Sequence, residues 1–131
     1  MLAKITIAEY MTKHVFTVKK ETSVLQAITS LLAHKVTCAP VVDEHGKLVG
    51  MFSEKDSMKV VLNCAYNQGM SGKVGEFMTK EILTVNADDS VVDLAERFKD
   101  SSVRSFPVCE DGALIGIVSR TDVLKALISI K

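Results

Sequence analysis

The sequence lacks an excess of either charge. Its 131 residues contain 16 Lys and Arg side chains and 16 Asp and Glu side chains, so the formal net charge is zero. Proteins that bind nucleic acid usually carry a clear basic surplus, because phosphate groups attract Lys and Arg. We therefore expect that the partners of this chain do not include nucleic acid.

Long apolar runs and paired cysteines are missing as well. No apolar run approaches the ~18 residues of a membrane helix, and residues 1–7 lack the basic start and the cleavage site of a signal peptide. The cysteines, Cys38, Cys64 and Cys109, are distant in sequence and odd in number, which argues against a disulfide framework. Thiols outside disulfides suit a reducing compartment, so we predict a cytoplasmic protein that does not enter a membrane.

Motifs of catalysis are also absent. His14, His34 and His45 are scattered without the spacing of metal ligands, and surface histidines are the simpler interpretation of all three. No serine or cysteine stands in a recognisable nucleophile motif, and no glycine-rich phosphate loop of the P-loop type occurs. The sequence therefore predicts neither an enzyme nor a metal site.

What the chain does contain is an internal repeat. Glu9-Tyr10-Met11-Thr12 returns as Glu76-Phe77-Met78-Thr79, and further matches follow in the same order: Thr17 with Thr84, Pro40 with Pro107, Gly46 with Gly112, Gly50 with Gly116, Ser53 with Ser119, and Asp56 with Asp122. This order indicates a duplication, with one repeat in residues 1–66 and a linker with the second repeat in residues 67–131. A unit of about 60 residues buries only a modest part of its surface, so we expect the two copies to pack about a pseudo-twofold axis.

Each repeat reads as strand, helix, strand, strand, helix. Short strands are predicted at 15–18 and 82–85, each followed by a helix whose cap is Thr22 or Ser23 in the first repeat and Asp89 or Ser90 in the second. The apolar stripes of these helices are predicted to lie in the core, and they comprise Val24, Ala27, Ile28, Leu31 and Leu32, then Val91, Leu94, Ala95 and Phe98.

A hairpin and a closing helix complete each repeat. The hairpins turn at Gly46 and Gly112, with Pro40 and Pro107 at the start of their strands, and the closing helices begin near Ser53 and Ser119. Residues 67–72 interrupt the pattern and are predicted to be the linker. The fold class is therefore α+β, with two β-α-β-β-α repeats.

The end of each hairpin carries the motif Gly-apolar-apolar-Ser-x-x-Asp, at residues 50–56 and 116–122. A serine at a helix start and the free N–H groups there attract phosphate, and an aspartate one turn later accepts bonds from ribose hydroxyls. The glycine would let a flat ligand approach the backbone. The alternative is a capping box, in which both side chains only cap backbone N–H groups.

The ordered set of motifs, present twice, resembles the tandem CBS domain, the cystathionine-β-synthase type pair called a Bateman module. The resemblance rests on the apolar-Thr-Val strand, the Pro-Val segment, the turn glycine and Gly-apolar-apolar-Ser-x-x-Asp, and it runs from about Ile5 to Ile130. Since no catalytic domain is left over, the chain resembles a stand-alone pair.

The resemblance implies regulation by an adenosyl ligand such as AMP, ADP, ATP or S-adenosylmethionine, without any other cofactor. In the family, a cleft takes its Ser-x-x-Asp from one repeat and its base-binding wall from the other. Carried onto this sequence, one site comprises Ile117, Ser119, Asp122, Met11, Phe16, Val36 and Thr37. The other site comprises Met51, Ser53, Asp56, Met78, Leu83, Val103 and Arg104. In each, the aspartate holds ribose and the serine faces phosphate.

The charges around the two motifs differ. Glu54 beside Ser53 would repel a phosphate, although Lys55 and Arg104 offset it, whereas Arg120 beside Ser119 is favourable. The Asp122 site is therefore favoured for a phosphorylated ligand. Arg104 and Arg120 fit equally well as solvated surface charges, and that interpretation stays open here.

A second hypothesis is a ligand-free interaction module. In that case both Ser-x-x-Asp elements merely cap helices, and the protein acts through dimerisation or through an effector protein that the sequence does not identify. Under either hypothesis we expect a homodimer, because the closing helices carry more apolar residues than a monomer core needs, namely Met58, Val61, Val123, Leu127 and Ile130.

Overall fold

The computed structural model of this chain describes residues 2–67 and 72–130. Residues 68–71 of the predicted linker lie outside the described residues. The predicted α+β class is confirmed, since five α-helices and five short strands form the described part of the chain. Within that part, no helix combines the length and the apolar character that crossing a bilayer requires.

The chain divides into two compact units, which we name by their place in the sequence. The inner unit spans Phe16–Ile82, and the outer unit combines Met1–Val15 with Leu83–Lys131. The predicted repeats, residues 1–66 and 67–131, describe the duplication, whereas the compact units divide the chain at other positions.

The inner unit contains a three-stranded sheet and three helices. Its elements are β1 (Val18–Lys19), α1 (Val24–His34), β2 (Cys38–Val42), β3 (Leu48–Ser53), α2 (Glu54–Asn67) and α3 (Val74–Phe77). Strand β2 lies in the centre, parallel to β1 and antiparallel to β3. The core is formed by Val18, Ala27, Leu31, Ala39, Val41, Phe52 and Val74.

The outer unit has the same plan with a smaller sheet. Two short 3-10 helices (Leu2–Lys4 and Ile7–Glu9) precede α4 (Val91–Lys99), the antiparallel strands β4 (Ser105–Glu110) and β5 (Ala113–Ser119), and α5 (Arg120–Ser129). Its core is formed by Ile7, Val85, Leu94, Phe98, Phe106, Val108 and Val118.

The helices follow their apolar periodicity closely. Helix α4 begins after Ser90, whose hydroxyl oxygen accepts the N–H of Asp93 at 3.1 Å, as a capping residue does. Helix α1 begins after Ser23, which occupies the cap position without a side-chain cap bond. One predicted core position is wrong: Leu32 is 71% exposed, because the buried stripe of α1 runs through Ala27 and Leu31.

Each unit contains the leading segment of the other repeat. In the outer unit, the N–H of Ile7 donates to the Asp89 carbonyl at 2.9 Å, so the leading segment of the first repeat packs on the second repeat. In the inner unit, the N–H of Val74 donates to the Thr22 carbonyl at 2.9 Å, which holds α3 against the first repeat. The two copies have therefore exchanged their leading segments.

The first strand of each repeat is shorter than predicted. The strand expected at 15–18 is only Val18–Lys19, and the one expected at 82–85 is reduced to a single parallel bridge between Val85 and Val108. The placement of Pro40 and Pro107 at strand starts is also wrong, because β2 begins at Cys38 and β4 at Ser105.

The prolines explain the short first strands. Val85 donates to the Pro107 carbonyl at 3.1 Å and accepts the N–H of Cys109 at 3.1 Å, which is the parallel pattern. The next bond of that ladder would run from the N–H of residue 107 to the Leu83 carbonyl, and proline has no N–H. Pro40 stands in the same register beside β1, so the parallel ladder ends at this point in both units.

The predicted hairpins are confirmed. Gly50 lies opposite Val41, and Gly116 lies opposite Val108, in antiparallel registers. The turn glycine of the first hairpin, Gly46, has φ +81°, a conformation that residues with a side chain rarely adopt. The hairpins deliver the Ser-x-x-Asp motifs to the starts of α2 and α5.

Candidate functional site

Ser53 and Asp56 lie where β3 passes directly into α2. The Asp56 carboxylate accepts the Ser53 N–H at 3.0 Å and the Ser53 hydroxyl at 2.9 Å, both on Oδ2. In return, the Asp56 N–H donates to the Ser53 hydroxyl oxygen at 3.1 Å. Asp56 is only 2% exposed. This is a reciprocal capping box in a buried position.

Ser119 and Asp122 repeat this geometry at the start of α5. The Asp122 Oδ2 atom accepts the Ser119 N–H at 2.8 Å and the Ser119 hydroxyl at 3.1 Å, and the Asp122 N–H lies 3.4 Å from the serine oxygen. The capping boxes foreseen as the alternative to a ligand site are thus present in both repeats. Each capping box uses only the Oδ2 atom of its aspartate, so the Oδ1 atom is left to accept other hydrogen bonds.

The second oxygen distinguishes the two motifs. At Asp56, the Thr79 hydroxyl donates at 3.1 Å to Oδ1 and lies 3.3 Å from Oδ2, and the Lys59 ammonium lies 3.1 Å from Oδ1. Two Ser53 groups, Thr79 and Lys59 therefore serve one carboxylate, whose two oxygens offer about four lone-pair sites. Asp56 is close to saturated.

Asp122 keeps one oxygen open. Its Oδ1 atom has no hydrogen-bond partner among residues 2–67 and 72–130, although the Asp122 residue is only 9% exposed. The counterparts of Thr79 and Lys59 in the repeat are Thr12 and Lys125, and in the described structure neither side chain bonds Asp122. No fully buried side-chain oxygen or nitrogen among the described residues lacks a partner, so Oδ1 is the part of this carboxylate that solvent can reach. An accessible carboxylate oxygen with two unused lone pairs is suited to accept hydroxyl groups.

The glycines of the two motifs serve the fold. A Cβ on Gly50 would lie 2.7 Å from Met78 Sδ and 2.9 Å from the Thr79 carbonyl oxygen. A Cβ on Gly116 would lie equally close to Met11 Sδ and the Thr12 carbonyl oxygen. The space that a Cβ would occupy is filled by the Met-Thr segment of the same unit, so each glycine is required for this packing, and the approach of a flat ligand to its backbone stays a prediction.

Thr12 and Thr79 are the part of the site that sequence reasoning missed, although the preceding Met11 and Met78 were predicted. Thr79 exchanges two backbone hydrogen bonds with Met51, at 2.9 and 2.8 Å, and Thr12 does the same with Ile117, at 2.8 and 3.0 Å. These bonds place each threonine beside the motif. The duplicated Glu-aromatic-Met-Thr run was the available signal, but it did not indicate that its threonine would reach an aspartate.

The structure distributes the predicted site residues over the two units. The outer unit contains Met11, Leu83, Val103, Arg104, Ile117, Ser119, Arg120 and Asp122. The inner unit contains Phe16, Val36, Thr37, Met51, Ser53, Asp56 and Met78. Within them, the close sets are Met11 with the Asp122 motif and Met78 with the Asp56 motif. We name these the Asp122 cluster (Met11, Thr12, Ile117, Ser119, Asp122) and the Asp56 cluster (Met51, Ser53, Asp56, Met78, Thr79).

The predicted base-binding residues have mixed environments. Phe16 is half-buried and stacks on His34 with ring centroids 4.1 Å apart, and the Thr37 carbonyl accepts the Glu54 N–H at 2.9 Å. Leu83 is 66% exposed, so its side chain is available to a ligand. Val36 is also exposed, whereas Val103 is partly buried against the outer core.

Arg120 is engaged away from Ser119. Its Nη2 donates to the Ser101 carbonyl at 3.0 Å, and its Cζ lies 6.0 Å from the centroid of the Phe98 ring. The sequence left open whether Arg120 serves phosphate or solvent, and this contact is a third arrangement. Arg104 is exposed.

Metal ligation finds no support in the described part of the chain, where no group of three His, Cys, Asp or Glu side chains comes together. All three cysteines lie within the described residues, and none of them forms a disulfide. The chemistry of the candidate site is therefore that of two capped aspartates, two serine hydroxyls and the starts of α2 and α5.

Comparison with known proteins follows the same division into repeats. The family model described as CBS domain matches residues 7–62 and 74–129. The CBS domain-containing protein CBSX1, chloroplastic, of Arabidopsis thaliana is 32% identical over an alignment of 154 positions. This alignment includes 96% of this chain and 65% of that protein. The chain spans 42% and 14% of the length of two other curated relatives.

Two solved structures are similar over nearly the whole chain. The crystal structure of CBSX2 in complex with AMP is 32% identical, with a TM-score of 0.85, and the match covers 96% of this chain and 98% of that one. A CBS domain pair in complex with 5′-methylthioadenosine and S-adenosyl-L-methionine is 28% identical, with a TM-score of 0.78 and the same coverage.

Proposed function

Since the chain belongs to the CBS domain family, we propose that it is a regulatory module that binds an adenosyl nucleotide and performs no catalysis. Binding of this ligand would shift an equilibrium between two states of the protein, through its different affinity for each.

The observation that carries the proposal is the open oxygen of Asp122. Asp122 is only 9% exposed, and its Oδ1 atom is accessible and has two unused lone pairs. The two vicinal hydroxyls of a ribose match these lone pairs, and such charge-assisted bonds are stronger than neutral ones. The start of α5, directly beside it, adds free N–H groups that favour an anionic substituent.

The ligands of the solved relatives support recognition through the ribose. AMP, 5′-methylthioadenosine and S-adenosyl-L-methionine share an adenosine group, but only AMP carries a phosphate. A site built on an aspartate that accepts ribose hydroxyls would serve all three. The phosphate is therefore a secondary determinant, which fits the engagement of Arg120 at Ser101.

The base-binding wall remains a prediction from the family resemblance. It assigns Phe16, Val36 and Thr37 to the ligand at Asp122, and Leu83, Val103 and Arg104 to a ligand at Asp56. The cytoplasmic location also stays a prediction, supported by the lack of a disulfide among the three cysteines.

A thermal-shift panel tests the proposal. AMP, ADP, ATP, S-adenosylmethionine and NAD would each be added to the wild type and to Asp56→Ala and Asp122→Ala. At a hundredfold excess over Kd, a true ligand adds about 2.7 kcal/mol to the free energy of unfolding, which raises the melting temperature by several degrees. We expect Asp122→Ala to lose this rise and Asp56→Ala to keep most of it.

The second candidate function is a ligand-free interaction module. It is favoured by the exposed apolar side chains of α2 and α5, which include Met58, Val61, Leu62, Leu124, Leu127 and Ile128. Such faces suit a homodimer or an effector protein. If none of the five nucleotides raises the melting temperature of the wild type, this candidate replaces the nucleotide sensor.

A further inference from the structure

We propose that Thr79 and Lys59 keep Asp56 in a closed state, so that nucleotide enters the Asp122 cluster first and reaches Asp56 only after the Thr79 hydroxyl is displaced. This inference rests on the proposed function. It adds a ranking of the two sites and names the side chain that competes with the ligand.

The closed state follows from the donors around Asp56. The Thr79 hydroxyl lies 3.1 Å from Oδ1 and 3.3 Å from Oδ2, so it addresses both oxygens, as a ribose hydroxyl would. The Lys59 ammonium nitrogen also lies 3.1 Å from the Asp56 Oδ1 atom. A ribose at Asp56 must therefore remove an existing charge-assisted bond before it forms its own.

The open state is visible at Asp122 in the same chain. Thr12 exchanges backbone hydrogen bonds with Ile117 just as Thr79 does with Met51, so each threonine is anchored at the equivalent place. Yet Asp122 accepts only the two Ser119 donors among the described residues. Threonine and lysine stand at the matching positions of both repeats, so the difference lies in how their side chains are arranged. In the proposal, the threonine hydroxyl is a latch that is bonded to the aspartate in the closed state and released from it in the open state.

One neighbour of Asp56, Ser57, has no counterpart at Asp122 and favours the closed position. The hydroxyl of Ser57 donates to the Ser53 carbonyl at 3.0 Å, which ties the start of α2 to the end of β3. The residue in the matching place of α5 is Val123, which has no hydroxyl. Asp56 is also more deeply buried than Asp122.

The test is isothermal titration of the whole chain with AMP, comparing the wild type with Thr79→Val and Thr12→Val. Valine keeps the shape of threonine and the backbone bonds but removes the hydroxyl. We expect two unequal binding events in the wild type, and Thr79→Val should tighten the weaker event about tenfold. Thr12→Val removes a hydroxyl that bonds no carboxylate among the described residues, so it should tighten neither event, and Thr79→Ser, which retains the hydroxyl, should behave as the wild type.

A ligand-free measurement decides the same point independently. Chemical denaturation of Thr79→Val should show an unfolding equilibrium constant about tenfold higher than that of the wild type, because the Asp56 bond is lost. The same measurement on Thr12→Val should show little change. Equal effects of the two substitutions, on either affinity or stability, would overturn the latch.

The two failures are distinguishable. If AMP, ATP and S-adenosylmethionine give neither heat nor a thermal shift with the wild type, the proposed function fails, while the denaturation comparison still tests the closed arrangement. If the wild type binds AMP but Thr79→Val leaves the weaker event unchanged, the sensor stands and the latch is wrong.

Discussion

At the scale of single residues, Asp56 and Asp122 serve the fold before they serve any ligand. Each caps the N–H of the serine that precedes its helix, and loss of such a cap costs about 0.5–2 kcal/mol of stability. A binding defect in an aspartate variant is therefore meaningful only beside a stability measurement. The donors beyond the cap are what separate the two positions.

Replacement of the two aspartates should have unequal effects on stability. We expect Asp56→Ala to lower the free energy of unfolding more than Asp122→Ala, by about 1 kcal/mol, because it also removes the hydrogen bond from the Thr79 hydroxyl. Lys59 is well exposed, so its ion pair contributes less than the Thr79 hydrogen bond does. Urea denaturation of both variants measures the difference. A larger loss for Asp122→Ala would contradict the bonding described for the two clusters.

The carboxylate of Asp43 gives a pH-dependent contribution to stability. Hydrogen bonds from the N–H groups of Lys47 and His45, together with the nearby charges of His45 and Lys19, lower the pKa of Asp43 below its ordinary value of 3.8. A carboxyl whose folded-state pKa is lowered stabilises the fold above its unfolded pKa, and this is lost as the pH falls through the folded value.

We therefore expect Asp43→Asn to melt below the wild type at neutral pH, with the gap closing as the pH falls below 3.8. Thermal melts across that range measure it. Asp43→Ala, which also loses the acceptor of the turn, is the companion variant. A difference in melting temperature that stays constant from neutral to strongly acidic pH would show that the charge of Asp43 does not contribute to stability.

At the scale of elements, each hairpin strand packs closely against a Met-Thr segment, and we call this contact the joint. The joint leaves no room for a side-chain atom on Gly50 or Gly116. We expect Gly116→Ala to cost about 1–3 kcal/mol, since its Cβ would lie 2.9 Å from the backbone oxygen of Thr12. The matched control is Gly75→Ala, whose Cβ meets nothing closer than 3.3 Å and should cost less. Denaturation curves for both variants compare them, and an equal or smaller loss for Gly116→Ala would contradict the tight joint.

The helices and hairpins could be predicted because their signals are local. Capping residues, apolar spacing and a turn glycine lie within a few positions of the structure that they specify. The first strands could not be predicted in full, because their length depends on Pro40 and Pro107, which lie in another strand of the sheet. Leu32 was placed in the core for a similar reason, since the apolar stripe of α1 is wider than its packing surface.

The candidate site was predictable in outline only. The repeated Ser-x-x-Asp motif identified both aspartates, and their burial and capping are as that pattern implies. The bond between Thr79 and Asp56 joins residues 23 positions apart, and no spacing rule predicts it. The exchange of leading segments between the repeats is likewise a long-range packing choice that periodicity does not encode.

At the scale of the whole molecule, the exposed apolar faces of α2 and α5 predict self-association. We expect light scattering at micromolar concentration to give twice the mass of one chain. Val61→Lys and Leu127→Lys, each at an exposed position, should shift the protein to the monomer without unfolding it. Leu32→Lys, exposed on α1 instead, is the control. A monomeric wild type would remove the homodimer from the account.

The central claim is that the open oxygen of Asp122 accepts ribose hydroxyls. A thermodynamic cycle tests it most directly: calorimetry of AMP and of 2′-deoxy-AMP, each with the wild type and with Asp122→Ala. The account predicts that loss of the 2′-hydroxyl weakens binding to the wild type about tenfold and barely changes binding to Asp122→Ala. The same loss of affinity in both proteins would show that Asp122 does not hold the ribose.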